Sequence, residues 1–286
     1  MRKRVLKTLL ILLVVLVAVA GFFYQRYYHV GQYSYSGSPV LPPSATVDDS
    51  AAWISLFDGE SLVGWRSKFV GSPVDENYRD SFRVSDGAIT VSYDNYDAWD
   101  GEFGHLFFER PFDNYILQLQ YRFIGEQATD APAMAWAWRN SGVMLHSQAP
   151  ETMGLKQDFP VSVEVQLLGA HEGEHRPTGN LCTPGTHVRV AGEMHTQHCM
   201  LSTSTSIVGD EWVQLEVEVR SNRLIRHFIN GELVLEYSAP QLDGWNPAAR
   251  DLLESGGSRE LQSGYIALQS ESHPVQFRNI RLLELD

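Results

Sequence analysis

From Phe82 to Leu285 the chain repeats one pattern, apolar residues at every second position in short runs divided by turn residues. That period of two commits it to β-strands with one buried face. The central run, Val161-Ser162-Val163-Glu164-Val165-Gln166-Leu167-Leu168-Gly169, has apolar residues at its odd positions. Glu164 and Gln166 therefore project side by side away from the core. A carboxylate and an amide on the open face of a sheet suit a polar ligand such as a sugar, although an ordinary solvated strand face is the plainer reading of Glu-x-Gln alone.

The same alternation builds the rest. Phe82–Val84 and Ala88–Val91 flank Asp86-Gly87, and Tyr115, Leu117, Leu119, Tyr121 and Phe123 share one face. Val213 to Val219 alternates with Gln214, Glu216, Glu218 and Arg220; Leu224–Ile229 and Glu232–Tyr237 flank Asn230-Gly231, a strong hairpin signal. Gly264–Gln269 and Val275–Leu285 add two more strands. One helix is expected, with Asn246 as N-cap, Pro247 at its first position and Gly256 beyond its end. Many strands and almost no helix give an all-β sandwich or jelly roll.

Outside that pattern lie the first residues. Arg2, Lys3, Arg4 and Lys7 precede an apolar run to Tyr24, the layout of an export signal or a single membrane anchor. The expected organisation is an anchor or signal over 1–30, a Ser/Pro/Gly-rich linker over 31–52 and one domain over 53–286. An uncleaved anchor places the domain on the outer or periplasmic side of the cell membrane; cleavage after Ala20 would leave it secreted or periplasmic. A formal charge of −13, with no basic patch after residue 30, argues against a nucleic-acid partner. On the exported side, Cys182 and Cys199 are expected to form a disulfide.

The stretch Ala170–Thr205 breaks the rhythm. It holds both cysteines and half of the 10 histidines, and it reads as a functional loop stapled by the disulfide. His171 with His175, and His195 with His198, have spacings seen in metal sites, yet no His-Glu-x-x-His or paired Cys-x-x-Cys motif accompanies them. Whether a metal takes part stays open, a loosely held divalent ion being compatible with enolate chemistry.

Leu56-Phe57-Asp58-Gly59 with Leu62-Val63-Gly64-Trp65, then Val84-Ser85-Asp86-Gly87, Asn140-Ser141-Gly142-Val143, Val163-Glu164-Val165-Gln166, Glu211-Trp212, Asn230-Gly231, Gly264-Tyr265-Ile266-Ala267-Leu268-Gln269 and Phe277-Arg278-Asn279-Ile280 follow one another in the order of a known family. Over about residues 53–285 the chain resembles the 3-keto-disaccharide hydrolase domain, formerly domain of unknown function 1080. The resemblance implies a concanavalin A-like jelly-roll sandwich of two antiparallel sheets whose concave face holds sugar. It also implies an oligosaccharide or glycoside substrate already oxidised at C3.

A 3-keto sugar has an acidic C2–H, so a base and an oxyanion stabiliser suffice for elimination of the C1 substituent, and hydration completes a net hydrolysis. Glu164 is the candidate base and Gln166 a hydrogen-bond donor beside it. If Trp136–His146 is one unbroken strand, Trp136, Trp138, Asn140, Met144 and His146 share a face. Asn140 and Trp138 then join Gln166 as substrate-binding residues, and His146 joins Glu164 as catalytic. Core packing for the tryptophans, a bulge at Asn140-Ser141-Gly142 and a structural role for His146 are the plain alternatives. A direct glycosidase needs a second carboxylate, absent from the strand face unless Glu172 or Glu174 reaches in. A non-catalytic, lectin-like carbohydrate-binding domain at the cell surface remains the alternative function.

Overall fold

The computed structural model describes residues 34–35, 52–129 and 132–286. The expected anchor or signal, and nearly all of the linker, lie outside the described residues. Among the described residues no helix is long and apolar enough to cross a membrane.

In chain order the strands are β1 (Ile54–Ser55), β2 (Trp65–Phe69), β3 (Phe82–Ser85), β4 (Ala88–Val91), β5 (Gly104–Phe108) and β6 (Asn114–Phe123). Then follow β7 (Asn140–Ser147), β8 (Val163–Leu168), β9 (Asn180–Cys182), β10 (Thr186–Val190), β11 (Glu193–His195) and β12 (Cys199–Met200). The chain closes with β13 (Val213–Arg220), β14 (Leu224–Ile229), β15 (Glu232–Leu242), helix α1 (Pro247–Glu254), β16 (Tyr265–Ser270) and β17 (Val275–Glu284).

These strands form an all-β sandwich of two antiparallel sheets. One is ten-stranded, ordered β11-β10-β15-β14-β13-β6-β17-β4-β3 with β1 beside β17; the other is seven-stranded, ordered β12-β9-β8-β7-β16-β5-β2. The alternation sets which side chains meet between them. Leu117, Leu119, Tyr121, Leu215, Val217 and Val219 from the larger sheet share one core with Val143, Leu145, Val163, Val165, Leu167, Ile266 and Leu268 from the smaller one. Turn chemistry falls where the dipeptides require it: Asp86 and Gly87 have φ of 51° and 73°, Asn230 and Gly231 of 49° and 84°. The Asn246 side chain accepts from the Ala249 amide and caps α1.

Two expectations change. The stretch 170–205 is not one loop: β9 and β12 join the small sheet, β10 and β11 the edge of the large one. The expected disulfide is present, Cys182 and Cys199 being register partners across β9 and β12 with Sγ atoms 2.03 Å apart. Nor is Trp136–His146 one strand, because Pro132–Ala137 forms a 3₁₀ segment and Arg139 takes φ 40° before β7 begins.

Candidate active site

The outward face of the seven-stranded sheet carries the residues that the alternation keeps from the core. In β8, Glu164 is registered with Met144 of β7 and Cys182 of β9, and Gln166 with Gly142 and Asn180. In β16, Gln269 is registered with His105 of β5. Continuing the pairing of Ala267 with Met144 brings Gln269 beside Gly142. Across this face run His105, Gln269, Gly142, Gln166 and Asn180 in one row, with Phe107, Ala267, Met144, Glu164 and Cys182 in the next.

Gly142 is what lets the rows touch. A Cβ there would stand 2.9 Å from Cδ of Glu164, so the carboxyl group leans over the missing side chain toward β16. Beyond the end of β16 stand Glu271 and His273. Arg176 reaches in from the segment after β8; its guanidinium donates to the carbonyls of Gly169, Arg139 and Trp136, tying that segment to the 3₁₀ turn. Trp138 lies at the rim, stacked on His171 with centroids 3.8 Å apart and edge-on to His273 at 6.0 Å. Phe159 meets His105 edge-on from the other side.

The face is covered rather than solvated. Glu164 is 6% exposed and Glu271 3%. Burial pushes the Glu164 carboxyl up to about 8. Burial also raises Glu271 well above the carboxylate range, the Glu164 charge raises it further, and Arg176 opposes both. Two like charges so placed do not ionise together, so the pair holds a proton at neutral pH. Burial, with Lys68 nearby, holds His105 down to about 3, and burial with Arg139 and Arg176 holds His273 down to about 4. Both imidazoles are neutral, each with one donor and one acceptor nitrogen.

Buried polar atoms normally find partners. Here the ring nitrogens of His105 and His273, both amide atoms of Gln269 and Oδ1 of Asn140 have none among the described residues. They stand beside the two protonatable carboxyl groups, and their donors and acceptors are of the kind that hydroxyl groups pair with.

The candidate residues divide. Glu164, Gln166 and Asn140 come together here, with Gln166 Oε1 accepting from Asn180 Nδ2 at 3.1 Å. Trp138 lies nearby but on the turn before β7, not on its face. His146 does not join them. The strand bulges where Tyr265 and Ala267 shift register, His146 takes φ 47°, and its Nε2 faces the Ser221 carbonyl at 3.0 Å. The carboxyl group beside Glu164 is Glu271, from the connection after β16, and not Glu174, which accepts from the His171 amide. Glu271, His273, Gln269 and His105 were legible only weakly, Gln269, Glu271 and His273 as the polar odd positions after Ile266 and Leu268, His105 as a lone imidazole in an apolar run.

Among the described residues a divalent ion finds no ready donor set. Among the described residues no three His, Cys, Asp or Glu side chains converge on one point, and His171 is engaged with Trp138.

The model of a 3-keto-alpha-glucoside-1,2-lyase-like domain matches residues 52–283. The chain is 24% identical over 255 residues to a 3-keto-disaccharide hydrolase from Bacteroides thetaiotaomicron, an alignment covering 83% of this chain and 80% of that protein. Among solved structures, one from Parabacteroides distasonis assigned as a glycosyl hydrolase aligns with TM-score 0.49 and 19% identity, covering 82% of this chain and 95% of that one. The carbohydrate binding module CBM66 from Bacillus subtilis aligns with TM-score 0.43 and 10% identity, covering 77% and 96%.

Proposed function

This chain belongs to the 3-keto-alpha-glucoside-1,2-lyase-like domain family, and we propose on that footing that it hydrolyses glycosides already oxidised at C3, with Glu164 as base and Glu271 as acid. The observation that carries the reading is the buried Glu164–Glu271 pair beside unpartnered polar groups of His105, Gln269, His273 and Asn140. The relative's name supports the substrate class.

In this reading the C3 ketone acidifies C2–H. Ionised Glu164 takes that proton, and the electron pair forms an enolate whose oxygen accepts from the N–H groups of Gln269 and neutral His105. The enolate then reforms the ketone as the C1–O bond breaks, and protonated Glu271 gives its proton to the departing oxygen. Water adds at C1 while C2 regains a proton, so the net change is one water consumed. Burial suits both roles, raising both carboxyl groups so that Glu271 keeps a proton to give while Glu164, at about 8, can exchange one. Asn140 and Gln166 hold hydroxyls, and Trp138 borders the sugar.

The basic-then-apolar start of the chain supports a domain held outside the cytoplasm on a membrane anchor. Fractionation of cells making the full chain tests it: recovery with the cytoplasmic fraction overturns that placement.

For the reaction, the full chain is incubated with 3-keto-disaccharides and with their unoxidised parents, and free sugar is followed. Release is expected only from the 3-keto forms, and Glu164→Gln is expected to lower it about 10²- to 10⁴-fold. Equal cleavage of the unoxidised parents, glycan binding without turnover, or a Glu164→Gln variant within about threefold of the parent would each overturn the assignment.

A further inference from the structure

The outer face of the ten-stranded sheet, on the opposite side of the sandwich from Glu164, carries three arginines in a setting that the reaction does not use. Arg122 lies on β6, Arg278 and Arg281 on β17. Residues three apart on a straight strand point to opposite faces. Here β17 bulges between Arg278 and Arg281, with Asn279 at φ 53°, so Arg278 is registered with Gln120 and Arg281 with Gln118, and both arginines face outward.

Each guanidinium is fixed by neutral groups. Nε of Arg122 donates to Gln276 Oε1, Nε of Arg278 to Gln120 Oε1 and Nε of Arg281 to Gln118 Oε1, all at 2.9 Å. Arg122 and Arg278 lie over the Trp212 ring at 4.6 and 3.9 Å, and Arg281 lies over Trp53 at 4.4 Å. Among the described residues none of the three forms a salt bridge. Glu216 accepts from the Gln118 amide, and Asp58 from the amides of Glu60 and Ser61, rather than from these arginines. With Nε and the ring face anchored, the terminal nitrogens keep their donors, held in the planar fork that matches a carboxylate or sulfate.

Beside Arg281 opens a groove of about 490 Å³ lined by Trp53, Gln118, Gln214, Asn279 and Asp58. The amides and the aromatic edge are groups for hydroxyls and the Arg281 fork for a single acidic substituent, while the Asp58 carboxylate in the same lining is occupied by the amides of Glu60 and Ser61. A long polyanion or an anionic membrane fits less well, because a chain of net charge −13 repels it over its whole length while a short ligand meets only the local arginines.

We propose that this face is a second binding surface, for a short oligosaccharide carrying carboxylate or sulfate groups, separate from the reaction on the other sheet. Such a surface would hold the domain on an acidic glycan while the opposite face works.

Calorimetry of the full chain against a tetragalacturonide, a sulfated tetrasaccharide, a neutral glucan tetrasaccharide and phosphatidylglycerol vesicles tests this. Binding of at least one acidic tetrasaccharide is expected, the two arms telling carboxylate from sulfate, with no binding of the neutral one. An Arg278→Gln/Arg281→Gln double variant with an unchanged melting temperature should bind at least about tenfold more weakly, the usual worth of a lost charge-assisted hydrogen bond. Glu164→Gln should bind as the parent does. If the double variant fails to fold, Arg281→Gln alone, anchored on the exposed side, reads the same loss. No acidic binding, equal binding of the neutral sugar, unchanged affinity in the arginine variants, or binding of vesicles alone would overturn the proposal.

Discussion

Gly142 and Glu164 illustrate how one residue's absence of bulk places another's charge. A methyl group at 142 meets the Glu164 carboxyl, so Gly142→Ala is expected to displace the base and lower turnover of a 3-keto-disaccharide by about tenfold or more, in line with the cost of misplacing a catalytic group. The melting temperature, measured alongside, should move by only a few degrees. Glu164 itself links activity and stability to pH. Its folded value near 8 stands above the ordinary 4.5. The ionised base therefore becomes more abundant as pH rises, and kcat/KM should climb with pH up to about 8, a limb absent from a Glu164→Gln profile. Stability runs the other way. Between pH 4.5 and about 8 the unfolded chain has released a proton that the fold retains, so stability falls with rising pH by up to about 1.4 kcal/mol per unit for this group. Glu164→Gln removes that loss, and urea titrations at pH 8 should find the variant more stable than the parent. A sequence reading that places Glu164 on an open, solvated face would expect no such change; its burial reverses that expectation.

Strands act as units through their registers and bulges. Cys182 is the register neighbour of Glu164 on one side and the disulfide partner of Cys199 on the other, so the bond fastens the short β12 to the strand flanking the candidate base. The cysteines are 17 positions apart, a closure that contributes about 3 kcal/mol in the chain-entropy model. A Cys182→Ser/Cys199→Ser variant should lose about that much in denaturant titrations; unchanged stability would show the strand pairs holding without it. Helix α1 depends on its cap in the same local manner, and Asn246→Ala should lower stability by about 1 kcal/mol without touching turnover. Bulges explain the two departures from simple alternation, turning His146 away from Asn140 and bringing Arg281 onto the face of Arg278. Nothing in a period-two pattern announces such a shift, because it depends on how neighbouring strands pair.

Across the whole molecule, buried titrating groups oppose one another. His105, His227 and His273 are held at about 3, 4 and 4 by burial, so as pH falls below their ordinary 6.5 the unfolded chain takes up protons that the fold refuses, and stability falls. The Glu164–Glu271 pair makes stability fall above pH 4.5. The two sets together predict a maximum near pH 6.5, with a shallow decline to about 4.5, a steep one below it and a separate decline toward pH 8; urea midpoints across that range check the shape. The sequence by itself determined the all-β sandwich, the hairpin at Asn230-Gly231, the capped helix and the direction in which Glu164 points, because strand period, turn geometry and capping are set by residues a few positions apart, and the disulfide partners because the chain has 2 cysteines. Only the tertiary structure decided that Glu271 is the carboxyl group beside Glu164, that His105 and Gln269 share its patch, and that His146 does not. Those groups come from β5, β8, β16 and the segment beyond β16, and the registers that bring them together, along with the burial that shifts their protons, exist only once the sheets have formed.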